Sequence, residues 1–223
     1  MVFIAAPRRR LNKAVLADCQ LRRALLATLF MKYTLARSVS ILGHPALVVP
    51  LVVTLLSWHS NAVLLWKTVV FMFILAAILV LFSFWQVRRN QWQDLDASRP
   101  PERRTLNLVL AVGLCGAGVV ASVRSFPTGL ALGLFVSSLQ VLTAILVSQW
   151  LKLSLHSTFD AFCSILLWPF GLGAVFLGLV GTAVVAWSRL KLARHTVSEV
   201  LGGTCLGIAG GVAYWLLRGG GVS

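Results

Sequence analysis

The sequence predicts an all-α membrane protein, a bundle of six or seven transmembrane helices, and three observations lead there. Of its 223 residues, 58% are hydrophobic and only 12% charged. A soluble domain carries about 25% charged residues, so this chain lacks the polar groups to cover a surface in water. The apolar residues come in runs near the roughly 20 that a helix needs to cross hydrocarbon. Between the runs, short polar segments collect most of the basic side chains.

Residues 1–37 are basic and mixed, which predicts a segment lying in the headgroup region, with Arg22, Arg23 and Lys32 reaching for water. Arg22 and Arg23 break up any apolar core of a cleaved signal, so none is expected. Residues 38–223 form the transmembrane domain. The first span is read at residues 40–58, with His44-Pro45 in its first turn, where proline is tolerated. The second is read at 63–85. A polar loop at 88–104 then holds three of the six acidic residues, Asp94, Asp96 and Glu102. Spans at 106–123 and 128–150 follow, the first rich in small residues (Gly113, Gly116, Gly118) that favour close helix packing. Residues 158–187 are nearly all apolar but interrupted by Pro169 and Gly171. Thirty residues are too many for one upright span, which predicts a short helical hairpin that dips across and returns. The last span is read at 196–217, with Gly202, Gly203, Gly207, Gly210 and Gly211 as packing points.

The net charge of +14 points to anionic headgroups. The basic residues alternate with apolar spans, so nucleic acid is not an expected partner. The polar segments at 88–104, 151–157 and 188–195 are each two crossings apart and share a face with the N-terminus. Seventeen of the 20 Lys and Arg residues fall there; Lys67, Arg124 and Arg218 fall at the other. The positive-inside rule makes the crowded face cytoplasmic and the host an inner membrane. The cysteines Cys19, Cys115, Cys163 and Cys205 form no Cys-x-x-Cys pair and predict neither a metal site nor a disulfide.

Three segments carry candidate chemistry. The third runs from Ser188 and Arg189 to His195 and Glu199. His195 and Glu199 are four apart, on one helix face, where a carboxylate can hold the imidazole tautomer. The second offers His156 with Lys152 and Ser154, a base beside two groups that bind phosphate oxygens. The first contains Arg99 and Arg103, able to converge on an anion. Its Asp94-x-Asp96 pair suggests Mg²⁺, but no second carboxylate cluster accompanies it.

Together these segments resemble the type 2 phosphatidic acid phosphatase superfamily of membrane lipid phosphatases. Its pattern is Lys-x6-Arg-Pro, Pro-Ser-Gly-His and Ser-Arg-x5-His-x3-Asp. Ser188, Arg189 and His195 match the third motif in spacing, with Glu199 in place of Asp. Ser154 and His156 match the second, with Leu153 and Leu155 replacing Pro and Gly. Arg99-Pro100 matches the end of the first, while Trp92 stands at its Lys position. The resemblance spans about residues 90–215. It implies a metal-independent, cofactor-free hydrolase acting on a phospholipid or isoprenoid phosphate substrate. In it His195 is the nucleophile, Glu199 its orienting partner and His156 the general acid, with Arg189, Arg99 and Lys152 binding the phosphate. Lys152 or Arg103 would supply the charge missing at Trp92. The alternative is an inactive relative that binds or transports an anionic lipid.

Overall fold

The computed structural model describes residues 30–60, 62–93 and 99–219. Every regular element among them is helical. The expectations for residues 1–29 and for Asp94 and Asp96 lie outside the described residues. The helices are α1 (Phe30–Leu42), α2 (Pro45–Ser60), α3 (Ala62–Arg88), α4 (Pro100–Val123), α5 (Thr128–Val147), α6 (Leu155–Leu166), α7 (Leu172–Lys191) and α8 (Val197–Leu217). Five are long and apolar enough to cross a membrane: α3, α4, α5, α7 and α8. A sixth arises if α1 and α2, bent by 47° at their junction, form one broken span.

The outside of the bundle is what a lipid solvent selects. Phe73, Ile74, Ile78 and Leu81 of α3 are exposed, as are Val112 and Val119 of α4. Exposed tryptophans sit near the helix ends: Trp58 and Trp66 at one, Trp85 and Trp150 at the other. That is the amphipathic belt expected at headgroup level.

The hairpin expected in residues 158–187 is present. α6 runs in, a single 3₁₀ turn (Trp168–Phe170) reverses the chain, and α7 returns. Pro169 stops the first helix, and Gly171 takes a φ of +92°, which costs glycine least. At 12 residues, α6 is only about 18 Å long. It is buried nearly all round, with Phe159, Ala161, Phe162 and Cys163 almost wholly covered. It packs most extensively against α7 and α8 and also touches α2 and α5.

Several element boundaries differ from the sequence reading by a few residues, and two of the differences reshape the site. The expected span at 40–58 is divided: Ser40 ends in α1, and α2 starts at Pro45. Proline disfavours the helical conformation in the residue before it, so the chain turns at Gly43-His44. At the other boundary α4 starts at Pro100, not near 106. Proline suits the first helical position. The buried Glu102 carboxylate accepts from the backbone N–H groups of Arg99 and Gln93, at 3.4 and 3.3 Å. Arg103 is therefore a first-turn residue of α4.

Interhelical polar contacts pin the bundle. Ser138 Oγ donates to the Ala111 carbonyl at 2.8 Å, Gln140 Nε2 to Leu206 at 3.3 Å, and Trp215 Nε1 to Ile165 at 3.0 Å. Such contacts contribute about 0.6 kcal/mol each in a membrane. α6 packs on α8 backbone to backbone. A Cβ at Gly203 would lie 2.5 Å from the Ser154 carbonyl oxygen, and one at Gly211 would meet the Ile165 side chain. Basic groups separate between the two ends: Lys67 Nζ donates to the Arg124 carbonyl at 2.6 Å at one end, while the candidate site occupies the other.

Candidate active site

The local sequence around His195 explains its placement. Thr196 caps α8: its hydroxyl accepts from the Glu199 N–H at 3.4 Å, and Glu199 Oε2 accepts from the Thr196 N–H at 3.2 Å. This reciprocal Thr-x-x-Glu box satisfies two otherwise orphaned donors. The same Oε2 lies 2.8 Å from His195 Nδ1. An ionised carboxylate only accepts, so Nδ1 carries the proton and Nε2 keeps its lone pair. A helix cap thus sets the tautomer of the imidazole before it.

The turn that presents His195 is strained and braced. Ala193 has a φ of +52°, uncommon for a residue with a Cβ. The Arg194 N–H donates back to the Arg189 carbonyl at 3.0 Å. Lys152 Nζ donates to the Arg194 carbonyl at 3.0 Å, tying the second segment to the third. A backbone bond adds to that tie, from the Ser154 N–H to the Glu199 carbonyl at 3.1 Å.

The cations are concentrated on this corner. Arg189 is 5% exposed, so its charge is held inside the protein, and its Nη1 donates to Ser40 Oγ at 2.9 Å. Arg103, Lys152, Arg189, Arg194 and both His156 and His195 line one cavity of about 1030 Å³. Burial lowers the affinity of the Lys152 ammonium for its proton, and Arg103 and Arg189 add to that; Glu199 opposes it. Burial also pushes His195 below the ordinary imidazole value, against its bond to Glu199, with Lys152 and Arg189 adding to the depression. His195 is then neutral at neutral pH.

Away from this corner the cavity wall is mostly apolar, with scattered polar groups such as Asn107 and Ser137. It follows α2 from Pro45 to His59, with Val53, Leu75, Leu114, Leu134 and Phe159 facing inward. At 1.5 Å per residue that is roughly 20 Å of lined depth. Tyr214 and Arg218 stand at the far end.

Of the residues the sequence singled out, His195, Glu199, His156, Arg189, Lys152 and Arg103 are brought together. Arg99 is not: it caps α4 with an exposed side chain that bonds Gln93, 3.2 Å from Nε to Oε1, and does not line the cavity. Ser154 is completely buried at the start of α6, under Gly203, and its hydroxyl accepts from Ser157 at 3.3 Å. It joins helices and does not line the cavity. Trp92 is buried edge-on against Phe82, with ring centroids 5.6 Å apart, and takes no part in the cavity either.

Three residues of interest escape a reading by motif. His44 lines the cavity and packs on His156; Ser40 holds Arg189. Asp160, one turn beyond His156 on α6, is 5% exposed, and neither carboxylate oxygen has a hydrogen-bond partner among the described residues. The only hint of it in the sequence is a lone carboxylate inside an apolar run. Such a group at membrane depth is costly to keep. Compared with known proteins, the chain matches no family model, no curated protein and no solved structure.

Proposed function

We propose that this protein is a membrane phosphatase that hydrolyses the phosphate ester of a lipid through a phosphohistidine. The reading is carried by one observation: a carboxylate-oriented imidazole and four clustered cations open onto a cavity whose remaining wall is mostly apolar. An amphiphile with a phosphate head and a hydrocarbon tail matches both halves. Isoprenoid phosphates and diphosphates, phosphatidic acid and related phospholipids all meet that description, since an apolar wall discriminates weakly between tails.

The chemistry follows from the positions. The Nε2 lone pair of His195 attacks phosphorus while Arg103, Lys152 and Arg189 offset charge on the non-bridging oxygens. The bond from phosphorus to the bridging oxygen breaks, and protonated His156 gives that oxygen its proton. Neutral His156 then takes a proton from water as the water attacks phosphorus. The P–N bond breaks, phosphate leaves and His195 is restored. Glu199 holds the Nδ1 proton throughout and stabilises the charge that the ring acquires.

The test is phosphate release from a long-chain alkyl monophosphate and an isoprenoid diphosphate by purified protein in detergent. Turnover is expected and should survive EDTA, because side-chain cations do the work of a divalent ion. Strict dependence on added Mg²⁺ would move the reading toward Asp94 and Asp96. Tight binding without release would favour the lipid-binding alternative.

Lys152 and Arg103 take over the role of the missing motif lysine in this proposal. Either change to Ala should lower kcat/KM by about tenfold or more, the loss of one charge-assisted contact. Wild-type kinetics in Lys152→Ala would restrict that residue to bracing the His195 turn.

The distribution of Lys and Arg supports a cytoplasmic site in an inner membrane. Single cysteines at Arg104 and Lys191, both exposed at the site end, should resist an impermeant thiol reagent in intact cells and react once the cells are opened. Labelling of both in intact cells would reverse the orientation.

A further inference from the structure

The corner between α1 and α2 makes three contacts with the rest of the bundle, two of them with the machinery just described. Gly43 lies against α7 so closely that a Cβ there would collide with the Val185 side chain. One turn before it, Ser40 Oγ, itself buried, accepts from Arg189 Nη1 at 2.9 Å. One residue after it, the imidazole of His44 meets that of His156 edge to face, with centroids 4.9 Å apart and planes at 89°. The corner is shaped by its own chemistry. His44 caps α2, its Nδ1 accepting from the Ala46 N–H at 3.1 Å, and Pro45 follows at the first helical position. That bond reserves the Nδ1 lone pair, so a neutral His44 carries its proton on Nε2.

We infer that the α1–α2 corner is a fourth segment of the active site, in which His44 positions His156 and Ser40 positions Arg189. This rests on the phosphatase reading and adds to it. α6 is locked through its backbone by α8, but that does not choose a rotamer for His156 at its first turn. A ring packed edge to face against the imidazole restricts it, while His156 also lines the cavity. The two positioned groups do different work, so the two arms of the corner should have different kinetic signatures. His156 moves protons and governs kcat. Arg189 grips the phosphate in the bound substrate as well as in the transition state, so weakening it falls mainly on KM.

The experiment is steady-state hydrolysis of a long-chain alkyl monophosphate by the full chain in detergent. Asparagine can still accept the Ala46 N–H, so His44→Asn keeps the cap and removes only the ring. It should lower kcat by about tenfold with KM within about twofold, as a misplaced proton donor does. Ser40→Ala should raise KM by about fivefold and leave kcat near wild type. Each loss should vanish in the background of its target: His44→Asn should cost nothing further in His156→Gln, nor Ser40→Ala in Arg189→Lys. A merely structural role would shrink the active fraction, lowering apparent kcat with KM unchanged in both variants, and its losses would add in both backgrounds. Wild-type kcat in His44→Asn, wild-type KM in Ser40→Ala, or additive losses would each overturn the inference while leaving the phosphatase reading intact. A wild-type protein without hydrolytic activity would overturn both.

Discussion

Replacing His195 with alanine should abolish phosphate release, lowering kcat by roughly 10⁴-fold or more, as loss of a covalent nucleophile does. The fold should survive. His195 precedes α8 and is not part of its cap: Thr196 and Glu199 still satisfy one another without the imidazole. An unchanged melting temperature and elution profile in detergent would confirm this. Glu199→Gln should be less damaging yet severe, about 10²- to 10⁴-fold in kcat, because an amide can donate to Nδ1 and fix the wrong tautomer. The pH profile adds a second check. His195 lies below the ordinary imidazole value, chiefly through burial, and in the proposed mechanism reacts as the neutral base. The acid limb of kcat/KM that it produces should therefore fall below the usual histidine range. Lys152→Ala removes one of the cations that depress it and should move that limb to higher pH. Full activity in His195→Ala would remove the mechanism altogether.

What the sequence made legible is what local chemistry determines. The pairing of His195 with Glu199 follows from a four-residue offset at the start of a helix, and the structure adds only that Thr196 shares the carboxylate. The hairpin at 158–187 was legible because Pro169 and Gly171 punctuate a run of the wrong length for one span. The choice between Arg99 and Arg103 was not. Pro100 starts α4 earlier than hydropathy indicates, since a polar first turn does not register as membrane. That start makes Arg99 the exposed cap and turns Arg103 inward. Ser154 matched a motif position, yet its surroundings are set by Gly203, 49 positions along the chain, and no local pattern reports that contact. His44 and Ser40 were illegible for the same reason: the partners they meet, His156 and Arg189, are 112 and 149 residues away.

Gly207→Leu should uncouple the two halves of the site and destabilise the bundle at once. Gly207 faces α6 near the middle of α8, where a Cβ would run into the Thr158 carbonyl and come within 2.8 Å of Ala161 Cβ and 3.0 Å of the Phe162 backbone nitrogen. Two of those three are backbone atoms in a helix, unable to yield by changing rotamer, so α6 itself must move. Overpacking of this kind costs about 1–3 kcal/mol, and more where backbone must shift. The functional loss should be larger than the stability loss. α6 carries His156 just two residues before Thr158, while α8 carries Glu199 and, through it, His195. In the proposed mechanism a displacement near 1 Å between the two histidines is enough to cost about 10²-fold in rate. Gly116 on α4 is the matched control: a Cβ there meets nothing within 4 Å, so Gly116→Leu should leave both melting temperature and kcat near wild type. Gly210 should fall between them, because its Cβ would displace the movable amide of Gln140 and not a main chain. If Gly207→Leu matched Gly116→Leu in both measurements, α6 and α8 could not be the rigid pair that fixes His156 relative to His195.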